Sequence, residues 1–230
     1  MELDILRDVS KEMIVTIIMA ILTVLWIVVR NHVKNALWIF KGFRKVGIKC
    51  VVRSRIKALE KIWEDLKQSS EIMVLNYKGY SLLREKNYHE TLLCKLLREG
   101  RIPQIKFLLL DPNETSIIQK RRTVLSENIQ FASTTEDSGE DIKATIKTLK
   151  DINENHDINT VCQCKLFREE LKWSLIFSNN YILVSFYPQK QTAYNSAAMI
   201  IYRNSLLGDS FGLYFNEIWG KSIKAYSYEA

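Results

Sequence analysis

Two stretches of this 230-residue chain set an apolar run directly before residues that bind anions or move protons. Glu71 to Tyr77 (EIMVLNY) leads into Lys78-Gly79-Tyr80-Ser81, and Ile105 to Leu110 (IKFLLL) leads into Asp111-Pro112-Asn113. In open α/β sheets ligands sit outside the carboxyl ends of the strands. Tyr77, Lys78 and Ser81 are therefore one candidate ligand-binding set, with Lys78 pairing an anion; the alternative is an ordinary strand-to-helix turn. Asp111 can hold a ligand hydroxyl or orient Arg121 or Arg122, or it can simply cap the turn before Pro112. Lys120-Arg121-Arg122 can clamp a phosphate, because guanidinium forks fit its oxygens, or form a solvated helix face. Read as an enzyme, the chain offers Asp111, Tyr77, Lys78 and Arg121 as the groups of a non-standard phosphodiesterase site.

Metal and nucleophile chemistry find less support. The four cysteines are Cys50, Cys94, Cys162 and Cys164, and the three histidines are His32, His89 and His156. They do not complete the closing spacings of a zinc site, so the expected reading is structural thiols, no metal and no cofactor. Cys162 and Cys164, two apart, share one face of a strand. No Walker loop, dinucleotide-binding glycine motif, nucleophile elbow or H-E-x-x-H occurs.

These candidates need a domain to position them, and charge patterning sets that domain apart. Residues 1–29 carry two basic and four acidic groups, 30–67 eleven and three, and 68–230 twenty and nineteen. The net charge of +7 thus belongs to the segment after residue 29. That segment follows Met13 to Val29 (MIVTIIMAILTVLWIVV), which has no charge, Pro or Gly. Seventeen helical residues span about 25 Å, enough to cross a bilayer core with snorkelling flanks. From Arg30 to Leu59 there are nine Lys or Arg and no Asp or Glu, which keeps that side in the cytoplasm. The expected organisation is a short outer tail (1–12), a transmembrane helix (13–29, continuing towards Phe43), a basic juxtamembrane and connector segment (30–67) and a cytoplasmic domain (68–230). Arg30, Lys34, Lys41, Arg44, Lys45, Lys49, Arg53 and Arg55 are its membrane-surface basic residues, attracted to anionic lipid headgroups. The near-neutral domain gives little support for nucleic-acid binding. A cleaved signal peptide fits poorly, because MELDILRDVSKE is acidic on balance.

Periodicity predicts the elements. Gly42 and Gly47 break the first helix, and IKCVV (48–52) reads as an edge strand. Ser54 to Gln68 is a helix with Ser54 as N-cap and Ile56, Leu59, Ile62, Trp63 and Leu66 on its apolar stripe. Strands are expected at 71–77, 105–110, 160–167, 173–177, 181–187 and 198–203, the 105–110 run being buried on both faces. Helices are expected at 87–99, from Glu114 into the 120s, at 141–153 and at 208–223. Ser133 to Gly139 reads as a polar loop and Ser178-Asn179-Asn180 as a hairpin turn. The order implies an α/β (α+β) single sheet sandwiched by helices.

The run EIMVLNYKGYSLL, then KLLREG, IKFLLLDP, Arg121-Arg122, WSLIFSNNYILVSFYP, AAMIIYR and FGLYFNEIW resembles a phospholipase D-like fold over residues 47–222. Active members use H-x-K-x-x-x-x-D, in which His attacks phosphorus and Lys binds phosphate oxygens. The one H-x-K here is His32-Val33-Lys34, beside the apolar run, with Ile39 at the Asp position; Trp173 to Arg203 contains no His. The resemblance therefore implies a degenerate domain without that nucleophile and acid. It further implies homo-oligomerisation, as a dimer or higher, and the apolar span places the expected protein at the bacterial inner membrane. The expected function is a membrane-anchored, non-catalytic sensor or effector that binds a nucleotide, a phosphorylated ligand or a partner, in bacterial defence or stress signalling. The alternatives are a cyclic-oligonucleotide-gated effector that disrupts the membrane and the phosphodiesterase above.

Overall fold

A computed structural model describes residues 41–83, 91–126, 138–155, 159–186 and 196–225, together with Trp26 and Arg30. The chain divides into two compact units, Met1–Lys45 and Val46–Ala230. In the first, residues 41–45 are helical, and Trp26, Arg30, Lys41, Arg44 and Lys45 are exposed. The predicted span Met13–Val29 lies outside the described residues except for Trp26, as do Lys34 and the histidines. No helix among the described residues is long and apolar enough to cross a membrane.

The second unit is a mixed α/β domain around one sheet. Its elements are β1 (Ile48–Val52), α1 (Arg55–Lys67), β2 (Glu71–Leu75), α2 (Tyr80–Leu83), α3 (Leu92–Arg98), β3 (Gln104–Leu110), α4 (Thr115–Ser126), α5 (Ser138–Glu154), β4 (Val161–Phe167), β5 (Trp173–Phe177), β6 (Tyr181–Phe186), β7 (Ala198–Tyr202), α6 (Leu206–Lys221) and β8 (Ile223–Lys224). Among the described residues the strands form one eight-stranded sheet in the order β1-β7-β6-β5-β2-β3-β4-β8. β2, β3 and β4 are parallel, and every other pairing is antiparallel.

This order dictates the layers. The connections β1 to β2, β2 to β3 and β3 to β4 all join like-directed strands and move the same way across the sheet. Right-handed crossing therefore puts α1, α2, α3 and α5 on one face. The β7-to-β8 connection moves the same way across the sheet but joins two strands that both run opposite to β1–β4, so α6 falls on the other face. There Phe215 meets Phe177 edge to face with ring centroids 5.5 Å apart. Lys165 on β4 donates to the Trp219 carbonyl at 2.8 Å, satisfying an otherwise orphan acceptor near the C-terminal end of α6.

Local rules explain most element ends. Ser54 accepts from the Lys57 amide and caps α1, as its sequence predicts. Thr91 does the same for α3 and Ser205 for α6. The Ser205 cap starts α6 at Leu206, two residues before the expected Gly208. α5 begins at Ser138, so the end of the predicted polar loop is helical, with Glu140 and Asp141 in the first turn where acidic groups favour the helix dipole. β2 ends at Leu75 rather than Tyr77, and β8 carries no sequence signal, being two residues long. β3 is buried from Phe107 to Leu110, as expected for a strand covered on both faces.

One expectation is overturned. Arg55 is 4% exposed in the first turn of α1 and is not a surface basic residue like its neighbours. The Ser54 cap fixes the helix start, and that start turns position 55 onto the stripe of Ala58, Ile62 and Leu66. Ile56, expected on the apolar stripe, is only half-buried.

Candidate binding site at the parallel strand ends

The carboxyl ends of β2, β3 and β4 lie side by side because the parallel register aligns Leu75 with Leu108 and Leu110 with Phe167. The antiparallel partner β5 brings its amino end to the same place, where Leu175 pairs with Leu75. The sequence-predicted residues Tyr77, Lys78, Ser81 and Asp111 all belong to this edge.

After β2 the chain turns through Gly79, whose φ of +68° lies in the left-handed region that disfavours side chains. A Cβ there would stand 2.9 Å from Leu109 Cδ2 and 3.1 Å from Thr145 Cγ2. The turn thus presses directly onto β3 and α5. Asn76 organises it. Its carbonyl oxygen accepts from the Lys78 and Gly79 amides at 3.2 and 3.4 Å. Its amide donates to Ser174 Oγ at 3.1 Å.

Each ionisable candidate here is engaged by another group of the protein. Lys78 Nζ lies 2.7 Å from Asp141 Oδ2 at the start of α5, and the Lys78 carbonyl accepts from Thr145 Oγ1 at 2.8 Å. Tyr77 is buried; its hydroxyl accepts from the Leu171 amide at 2.6 Å and donates to the Leu171 carbonyl at 3.1 Å. Asp111 is fully buried. One oxygen accepts from the Asn113 amide at 3.0 Å, the cap of the turn, and the other from Arg168 Nε at 3.1 Å. Glu114 Oε1 is 3.8 Å from the same Arg168 nitrogen.

Ser81 is exposed on the short helix α2. Arg121 and Arg122 lie on α4, but their side chains fall outside the described residues. Their neighbour Lys120 pairs with Glu170 at 2.7 Å. Among the described residues, Asp111 has a charged partner in Arg168, 57 positions away.

Sequence reasoning missed Arg168, Asp141, Asn76 and the serines. The strand-end rule that selected Asp111 after β3 applies equally to Arg168 after β4. Asp141 had the signal of an acidic residue in a first helical turn. Ser174 and Ser185 had none. They are cross-strand partners on β5 and β6, both fully buried. Ser185 Oγ has no hydrogen-bond partner among the described residues. Asn76, Ser174 and Ser185 thus form a buried polar cluster beside the Lys78 turn.

Cys162 and Cys164 lie on β4 away from this edge and are buried. Burial pushes the Cys162 thiol up to about 12, with neighbouring Cys94 acting in the same direction. Cys164 is raised further by its burial and by Cys162. A thiol so raised supplies no thiolate nucleophile at neutral pH. Among the described residues no three His, Cys, Asp or Glu side chains group as metal ligands.

No family model matches the chain, and no curated protein matches it. Among solved structures it is similar to TrmBL2, an archaeal chromatin protein described as showing a novel mode of DNA binding. That likeness has a TM-score of 0.43 and 13% identity, and covers 85% of this chain and 66% of the other. It is also similar to Nuc from Salmonella typhimurium, a phospholipase D family member, with a TM-score of 0.42 and 13% identity over 76% of this chain and 95% of the other.

Proposed function

We propose that the chain is a membrane-anchored, non-catalytic binding module of phospholipase D-like architecture, held by residues 13–29 and recognising a ligand or partner at the carboxyl ends of β2, β3 and β4. The observation that carries this reading is the mutual engagement of the candidate groups. Lys78 is held by Asp141, Asp111 by Arg168 and Asn113, and the Tyr77 hydroxyl by the Leu171 backbone. General acid–base or nucleophilic catalysis needs a group within reach of the substrate and an activating partner. These side chains instead tie the loops together. The sequence agrees: no His lies between Trp173 and Arg203, and the one H-x-K is beside the apolar run. A module of this kind acts by binding, with the anchor reporting occupancy through homo-oligomerisation at the membrane.

The test is native mass spectrometry of the full chain purified in mild detergent, paired with bis-p-nitrophenyl phosphate hydrolysis by the same sample. The expected result is an oligomer without turnover above buffer, retaining a small molecule or partner. Turnover that disappears in Asp111→Ala would overturn the non-catalytic reading.

A further inference from the structure

One row of residues crosses the sheet near the start of α1. Val52 on β1 pairs with Ala198 on β7, Ala198 with Ser185 on β6, and Ser185 with Ser174 on β5. Directly paired residues share a face of the sheet. This row has the face opposite α6, because the next pair, Trp173 and Phe186, points to the α6 side, where Trp173 meets Phe211. All four residues of the row are buried. Asn76 donates to Ser174 Oγ at 3.1 Å. Ser185 Oγ, equally buried, has no hydrogen-bond partner among the described residues. A buried hydroxyl left unmet is costly, so its surroundings point to a missing acceptor or donor.

α1 covers the same face and brings Arg55 to the level of Ser185. Near the far end of α1, Asp65 accepts from the Asn180 amide at 3.1 Å, over the β5–β6 turn. From Asp65 back to Arg55 the helix spans about 15 Å, and from Tyr181 to Ser185 the strand spans about 13 Å. Arg55 follows Val52 by three positions and is buried on the sheet-facing stripe of Ala58, Ile62 and Leu66. The count sets it above the Ala198–Ser185 part of the row, where the side chains are small. Arginine is almost never buried unless paired, and its five N–H donors exceed what one partner takes up. The first turn of α1 holds no acidic residue, so the positive end of its dipole has no carboxylate from its own helix.

We infer that this row and the start of α1 form a phosphate-binding site, with the Arg55 guanidinium and the α1 amino end holding the anion and the Ser185 hydroxyl donating to one of its oxygens. The inference rests on the binding-module reading above. It names the ligand class, a phosphorylated small molecule, and the strands that receive its phosphate, β6 and β7, on the same edge of the sheet as the β2, β3 and β4 ends. A water is the rival occupant. It would meet the hydroxyl, but an oxyanion also answers the guanidinium fork and the helix dipole.

The test is thermal unfolding of the full chain in mild detergent, with inorganic phosphate titrated against chloride at equal ionic strength. Phosphate is expected to raise the midpoint. Ser185→Ala is expected to leave the midpoint without phosphate unchanged or higher, because the hydroxyl makes no hydrogen bond within the fold, and to weaken phosphate about tenfold. Arg55→Lys keeps the charge but loses the fork, and is expected to weaken phosphate by a similar factor. If Arg55→Lys does not fold, Ser185→Ala decides alone. No rise with phosphate overturns the inference. So does an equal rise in the parent chain and Ser185→Ala, which would put the anion elsewhere. A lower Ser185→Ala midpoint without phosphate also overturns it, because the hydroxyl would then support the fold through a bound water. Two further measurements separate this site from the reading it rests on. A small molecule without phosphate retained in native mass spectrometry, with no phosphate effect on melting, keeps the binding module and removes this site. Hydrolysis of bis-p-nitrophenyl phosphate that persists in Ser185→Ala while phosphate binding is lost overturns the non-catalytic reading and keeps this site.

Discussion

Asp111 Oδ2 and Arg168 Nε meet at 3.1 Å across the ends of two adjacent parallel strands, a fully buried acceptor joined to a mostly exposed donor. The exposed partner keeps its hydration while the buried carboxylate gains a charge-assisted hydrogen bond. The pair clasps the β3 turn to the β4 exit, and the same carboxylate caps Asn113.

Asp111→Ala removes both hydrogen bonds and is expected to cost about 2–3 kcal/mol of stability. Arg168→Gln is expected to cost less. Urea unfolding of the two variants and their double mutant is expected to give a coupling energy of about 1 kcal/mol. Additive losses would mean the two side chains do not interact.

The Lys78–Asp141 pair joins the β2 turn to the first turn of α5 with only 11% of the Asp141 side chain exposed. Asp141→Ala loses this contact and a favourable acidic group at a helix start, and is expected to cost about 1–2 kcal/mol. Lys78→Met retains the stem and is expected to cost less. If added phosphate or nucleotide stabilised Lys78→Met and the parent chain equally in thermal melts, Lys78 would have no part in ligand binding.

Asp65 links stability to pH. Burial alone would raise its carboxyl, but hydrogen bonds from Ser178 and Asn180 and the Lys49 charge outweigh burial and hold it below the ordinary 3.8. A depressed folded value contributes stability that is present above 3.8 and lost as pH falls through the folded value. Unfolding free energies of the parent chain and Asp65→Asn, measured from pH 6 downward, are therefore expected to converge in acid. A difference independent of pH would remove Asp65 as the source.

Thiol accessibility tests the packing of β4 against the helices. Cys94, Cys162 and Cys164 are buried and Cys50 is half-buried. Ellman titration of the native chain near pH 8 is expected to read Cys50 alone on a time scale of minutes, and all four cysteines after denaturation. Rapid native labelling of Cys162 or Cys164 would contradict the packed strand.

The sequence by itself determined the local elements, because their signals repeat every 2 or every 3.6 residues. Trp173–Phe177 is a strand, as its sequence predicts. Ser178-Asn179-Asn180 turns the chain into β6, and Cys162 and Cys164 share a buried face. Ser54 caps its helix for the reason a Ser before an amphipathic stretch should. Only the tertiary structure decided what those elements bring together. Asp111 finds Arg168, 57 positions away, and Lys78 finds Asp141, 63 positions away. Helical crossovers of no fixed length set those distances, so no local period encodes them. Arg55 shows the same limit from the other side. Its charge marks a surface residue, and the phase of a helix fixed by its neighbours' packing buries it.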